Sequence, residues 1–250
     1  MRQPFAVKFR ASEVSPIGHF VGRDQELDRI QKELQYDGSR KTVVMHGLGG
    51  MGKTQLALAY LQRHKDEYSA VLWVNSKDVV TLKQGYTAAA RRIYHDHPSL
   101  VHLKAIDEGS DFDEAAEAVK RWLSSAGNDQ WLVIYDNYNT PKLPGHDEPG
   151  TFDIRPFLPA ANQGAILITT RSSQLNLGPL LAVKKLQSVK HSLEILSHAS
   201  GRYRLSNGRR RFLNLSVALA DPAFRYWCPQ AGPGTRWPAA CSCRSRRLSP

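Results

Sequence analysis

The sequence predicts an α/β fold, a parallel sheet covered by helices on both faces, on three observations. Short apolar runs rich in β-branched residues alternate with longer segments whose apolar residues recur every three or four positions. The first such run passes straight into a glycine-rich turn and then into a helical segment. No run of about 18 apolar residues occurs, which argues against a membrane-spanning helix.

The elements follow in order. In residues 24 to 35, DQELDRIQKELQ, Leu27, Ile30 and Leu34 form the apolar stripe of an amphipathic helix, with Asp24 placed to cap its start. TVVMH, residues 42 to 46, reads as a buried strand, and TQLALAYLQRH after Lys53 as a helix. A second strand is expected at 70 to 75, AVLWVN, with helices around 78 to 94 and 111 to 125. WLVIYD, residues 131 to 136, and AILITT, residues 165 to 170, are the next strands. The Pro, Gly and acid-rich segment between them predicts a surface loop. A fifth short strand is expected at 181 to 186 and a helix at 188 to 199. Strands alternating with helices give a parallel sheet with both faces covered.

The charge is unevenly spread. The chain of 250 residues carries a formal net charge of +11, and residues 201 to 250 supply +9 of it with ten Arg, no Lys and the single acid Asp221. The body is close to neutral, so basicity belongs to the tail and is no argument for a nucleic-acid-binding body. The three cysteines, Cys228, Cys241 and Cys243, also lie there. Their spacing matches neither a disulfide framework nor a common zinc site, and a Cys-free body suits a reducing intracellular compartment, here expected to be cytoplasmic. From Gly201 the sequence loses any sustained period, which predicts a poorly structured tail. A shifted reading frame or retained intron is the explanation favoured by the switch from Lys to Arg. Residues 1 to 18 are basic but lack a signal-peptide core and read as a loose lead-in.

HGLGGMGKTQLALAY holds the pattern G-x-x-x-x-G-K-T, with Gly47 and Gly52 fixed and Lys53 and Thr54 following. Glycines free the backbone to aim successive N–H groups inward at phosphate oxygens, and the helix beginning at the lysine points its positive end the same way. Lys53 is a mobile charge for the β and γ phosphates, and the Thr54 hydroxyl is a magnesium ligand. A glycine-rich structural turn is the alternative, but the strand before and the helix after are the context that a phosphate loop requires. Such a loop needs an acid at the end of a neighbouring buried strand to hold the metal through its water shell, and Asp136 stands there. Asn137 follows it, and an amide cannot take a proton from an attacking water, so efficient hydrolysis is not expected. Arg171, at the end of the apolar strand carrying Thr169 and Thr170, is placed to sense a γ-phosphate.

Together these residues resemble the NB-ARC class of STAND nucleotide switches, a class of plant resistance proteins, apoptosome-forming proteins and fungal relatives. The likeness covers residues 19 to 200. HFVGRDQELDRIQKEL is similar to the VGR element, GLGGMGKT to the family's P-loop, VLWVNS to the following strand, VIYDN to the Walker B position and ILITTR to the sensor strand; AVKKLQSVKHSLEILSHAS resembles the segment leading out of the domain. The resemblance implies a P-loop NTPase architecture, three layers α/β/α around a five-stranded parallel sheet, with the sensor strand between the P-loop and Walker B strands. It implies ADP or ATP with Mg2+ as cofactors, and binding residues Val21, Arg23, Gly47, Gly49, Gly50, Met51, Gly52, Lys53, Thr54, Gln55 and Arg171, with Thr54 and Asp136 at the metal. Val21 and Arg23 would lie near the adenine and phosphates. It further implies a signalling switch that is closed with ADP, opens and self-associates with ATP, and is at most a slow ATPase. Two features depart from the family: Asn137 replaces a second acid, and no GLPLAL or MHD element follows, so the domain is expected to be truncated. The competing readings are a freestanding NTPase or small-molecule kinase, a non-functional truncated product, and a nucleic-acid binder using Arg209 to Arg211 with Tyr226, Trp227 and Trp237 of the tail.

Overall fold

The computed structural model describes residues 5–7, 20–100, 103, 112–145 and 148–200. The tail expected from residue 201 lies outside the described residues, as does most of the lead-in. One compact unit runs to Leu186 and a second begins at Gln187.

In the first unit the order is α1 (Asp24–Leu34), β1 (Lys41–His46), α2 (Lys53–His64), β2 (Ala70–Asn75), α3 (Val79–Asp96), α4 (Phe112–Leu123), β3 (Trp131–Asp136), β4 (Ala165–Thr170) and β5 (Leu180–Ala182). The five strands form one sheet in the order β2-β3-β4-β1-β5, and every pairing is parallel. The sensor strand β4 therefore lies between β1 and β3, as expected.

The strands are continuous apolar runs because both faces are covered. Trp131, Val133 and Tyr135 of β3 join the core beneath α3 and α4, while Leu132 and Ile134 join the opposite core with Leu27, Ile30 and Leu34 of α1 and Leu56 and Tyr60 of α2. Asp78 caps α3 by accepting from the Thr81 N–H at 2.7 Å. In the second unit α5 (Val189–Ser200) starts at Ser188, whose hydroxyl accepts from the His191 N–H.

Four expectations need correction. The fifth strand, expected over 181 to 186, spans only Leu180–Ala182. Asp24 does not cap α1: Arg23 takes the N-cap position with φ 63, and no side chain caps the helix. The segment between β3 and β4 is not wholly a surface loop, since Phe152 and Ile154 are buried in the core. The Tyr138 hydroxyl donates to the Phe152 carbonyl at 2.7 Å, and the Tyr86 and Tyr135 hydroxyls both donate to the Phe157 carbonyl. The lead-in is not loose throughout either: Val7 is buried, pairs in parallel with Ala70 and donates its N–H to the Ser69 carbonyl at 3.0 Å. Phe5 meets the edge of Trp122.

Candidate functional site

The site forms at the carboxyl ends of β1, β3 and β4. The chain leaves β1 at His46 and turns through Gly47 to Gly52 before α2. Gly50 has φ 77 and Gly52 φ 84, left-handed conformations that glycine takes without strain. At Gly47 the demand is space, because a Cβ there would lie 2.6 Å from the Val183 carbonyl oxygen. Met51, half-buried, packs on the core beside α2, and its N–H reaches the Leu48 carbonyl at 3.4 Å. Gln55 stands in the first turn of α2.

Lys53 lies across the loop, its Nζ donating to the carbonyls of Gly47 at 2.7 Å and Leu48 at 3.0 Å. Burial lowers its pKa from the usual lysine value, the Arg171 charge adds to the effect and Asp136 opposes it. Arg171 is exposed at the end of β4, close enough to the loop that a Cβ on Gly49 would fall 3.3 Å from its Nη2. Two cations thus flank the loop, and Asp136 is the acid that offsets Lys53.

The structure brings Thr54 and Asp136 together. The Thr54 hydroxyl donates to Asp136 Oδ1 at 2.9 Å, with Oδ2 at 3.1 Å. Asp136 is buried, and burial raises its pKa above the ordinary 3.8 against the opposing hydrogen bonds from Thr169 and Thr54. The Thr169 hydroxyl, which sequence reasoning placed only as part of the sensor strand, donates to Asp136 Oδ1 at 2.6 Å and accepts from the Asn137 N–H at 3.0 Å. Asn137 takes φ 66, a left-handed conformation that Asn and Asp tolerate better than other side chains. A hydroxyl that gives its proton to Asp136 keeps its lone pairs for a cation, and hydroxyl plus carboxylate is the hard oxygen set that magnesium takes.

A pocket of about 560 Å³ opens beside this cluster, lined by Thr54, Asp136 and Asn137 together with Trp73 and Asn75 from β2 and Gln84 from α3. The last three were not legible as site residues; the only signal was a strand ending in Asn75 at the same edge as Asp136. Val21 is buried. Arg23 reaches the loop through the Met51 carbonyl at 2.8 Å, and also meets Glu26 at 3.0 Å and the Lys184 carbonyl at 2.9 Å.

The chain is 26% identical over 164 residues to a nucleotide-binding leucine-rich repeat (NLR)-like protein of Hyaloscypha variabilis, a match covering 61% of this chain and 16% of that protein. It is 26% identical over 194 residues to a putative disease resistance protein of Arabidopsis thaliana, covering 72% of this chain and 15% of the relative. The chain therefore spans about one sixth of the length of these relatives. Among solved structures, it is similar to Cdc6p from Pyrobaculum aerophilum at 14% identity and a TM-score of 0.49, covering 78% of this chain and 54% of that one. The NB-ARC domain family matches residues 23–202, well over half of the 250 residues, and the chain belongs to that family.

Proposed function

We propose that the chain is an adenine-nucleotide switch domain of an NLR-like signalling protein, binding ADP or ATP with Mg2+ and hydrolysing ATP slowly or not at all. The observation that carries the reading is the Thr54–Asp136–Thr169 cluster, which joins the first turn of α2 to the ends of β3 and β4 directly beside the Lys53 loop. Lys53 and the loop amides would bind the phosphates, with Gly49, Gly50, Gly52 and Gln55 contributing backbone at the loop and helix start. Magnesium, when bound, would draw charge from the β and γ phosphate oxygens; Thr54 would hold it directly and Asp136 through its water shell. Arg171 would meet the γ-phosphate and distinguish ATP from ADP. Val21 and Arg23 would stand close to the nucleotide, Arg23 through its bond to the Met51 carbonyl of the loop.

The slow-turnover reading rests on Asn137. Asn137 lines the pocket beside Asp136, and an amide can orient a water but cannot deprotonate one. The reading places the protein in the cytoplasm and includes self-association in the ATP form. Among the described residues no helix is long and apolar enough to cross a membrane.

Purifying the full chain, denaturing it and identifying released nucleotide by chromatography tests the reading, with Lys53→Ala alongside. ADP or ATP from the wild type and none from the variant is the expected result. Nucleotide retained by Lys53→Ala at the wild-type level would sink it.

A further inference from the structure

Arg23 stands where α1 begins, with φ 63 and ψ 28. A long side chain holds that left-handed conformation only when its surroundings impose it. Its side chain is only 7% exposed. One guanidinium nitrogen meets Glu26, and the other donates to two backbone carbonyls, Met51 at 2.8 Å and Lys184 at 2.9 Å. The first carbonyl belongs to the glycine loop, and the second to the segment leaving β5.

The bond to Met51 fixes more than a carbonyl. The Met51 C=O and the Gly52 N–H belong to one peptide unit, which is planar and trans, so the two point in opposite directions. With the carbonyl turned toward Arg23, the Gly52 N–H is turned away from it. The guanidinium therefore sets the direction of a loop amide. The segment after β5 is fastened to the same loop at two further points: the Val183 N–H donates to the His46 carbonyl at 2.8 Å, and Gly47 packs directly on the Val183 carbonyl.

We propose that Arg23 is a positioning residue, holding the Gly52 amide in its phosphate-binding direction and locking the glycine loop to residues 183 to 186. Phosphate affinity and the order of that segment then rise and fall together. The inference rests on the nucleotide-binding reading above and deepens it: Arg23 acts through the loop's backbone, and the segment it locks is the one that leads toward α5 in the sequence.

Arg23→Gly tests this in the full chain, because glycine adopts φ 63 without strain and the substitution removes the guanidinium while leaving the backbone at ease. ADP affinity in the presence of magnesium is measured by calorimetry with and without added guanidinium ion, and amide exchange of residues 183 to 186 is followed without added nucleotide. Arg23→Gly is expected to weaken ADP binding by about ten-fold or more, since hydrogen bonds from a charged donor are lost. Guanidinium ion should restore part of the affinity, and exchange across 183 to 186 should quicken. Arg23→Lys, which keeps the charge but not the forked donor, should show a similar loss. Affinity within about two-fold of wild type would overturn the proposal. So would weakened affinity with unchanged exchange at 183 to 186, which would put the guanidinium on the nucleotide. A wild-type chain that binds no ADP defeats the nucleotide reading itself, whereas normal wild-type binding with an indifferent Arg23→Gly defeats only this inference.

Discussion

Asp136→Asn should make the protein more stable and less able to bind nucleotide. Asp136 is 2% exposed, and its hydrogen-bond donors include the neutral hydroxyls of Thr54 and Thr169. These satisfy its lone pairs without cancelling its charge, and the raised pKa says that burial wins. An amide of the same shape keeps an oxygen at Oδ1 for both hydroxyls and presents NH2 where Oδ2 now lies 3.1 Å from Thr54 Oγ1. The hydrogen bonds survive and the buried charge goes. A gain of about 1 kcal/mol is expected, or roughly 2–4 °C in Tm for a domain of this size. Because the folded pKa lies above the unfolded one, the carboxyl favours folding below pH 3.8 and loses that contribution as pH rises through the folded value. The advantage of Asp136→Asn should therefore be full at pH 7 and shrink toward zero near pH 4. Magnesium-dependent nucleotide affinity should fall about 10–100-fold, the usual cost of removing a group that orients a metal shell. Calorimetric melting at pH 7 and pH 4, paired with ADP titrations with and without magnesium, reads both effects. A variant that melts below the wild type at pH 7, or a Tm difference that ignores pH, would refute the reasoning.

Thr169→Val keeps the strand but removes a donor to Asp136 and the acceptor of the Asn137 N–H; a loss of about 1–3 kcal/mol in thermal unfolding is expected, with weaker magnesium-dependent binding. Asn137→Asp suits the same left-handed backbone at φ 66, so the fold should persist while phosphate release from ATP rises roughly 100-fold through a restored base; unchanged turnover in a folded variant would show that Asn137 is not what limits it. Gly164→Ala meets a φ of +80 and would drive a Cβ into the ring of buried Trp131, costing about 2–4 kcal/mol and lowering the urea midpoint.

Much of this was legible in the residues because the physics was local. AVLWVN, WLVIYD and AILITT form strands over residues 70–75, 131–136 and 165–170, where the sequence placed them, since a parallel strand buried on both faces is a continuous apolar run. The glycine loop and the strand-end Asp136 were visible because a run of glycines between a strand and a helix, and an acid closing an apolar strand, can be read from residue type and order alone. What escaped notice depended on partners distant in sequence. Arg23 was marked only by its likeness to the VGR element, as a residue near the nucleotide, and its backbone partners Met51 and Lys184 were not legible. Thr169 looked like strand propensity, and only the pairing of β3 with β4 brings its hydroxyl to Asp136. Phe152 and Ile154 sat in a Pro- and Gly-rich stretch whose turn signals hid two core residues.

The strand order has a consequence for how the protein is made. β1 carries the glycine loop and emerges early, but its sheet partners are β4 and β5, residues 165–170 and 180–182. During synthesis the loop's own strand stays without a neighbour until most of the domain has left the ribosome, and parallel pairings across such separations close slowly. The β2–β3 pair can form first, with α3 and α4 between its strands in sequence, and β1 must then be captured as the last strands arrive. The glycine loop is thus written first and finished last, and an interruption of translation before residue 170 leaves its apolar strand unpaired and prone to aggregate.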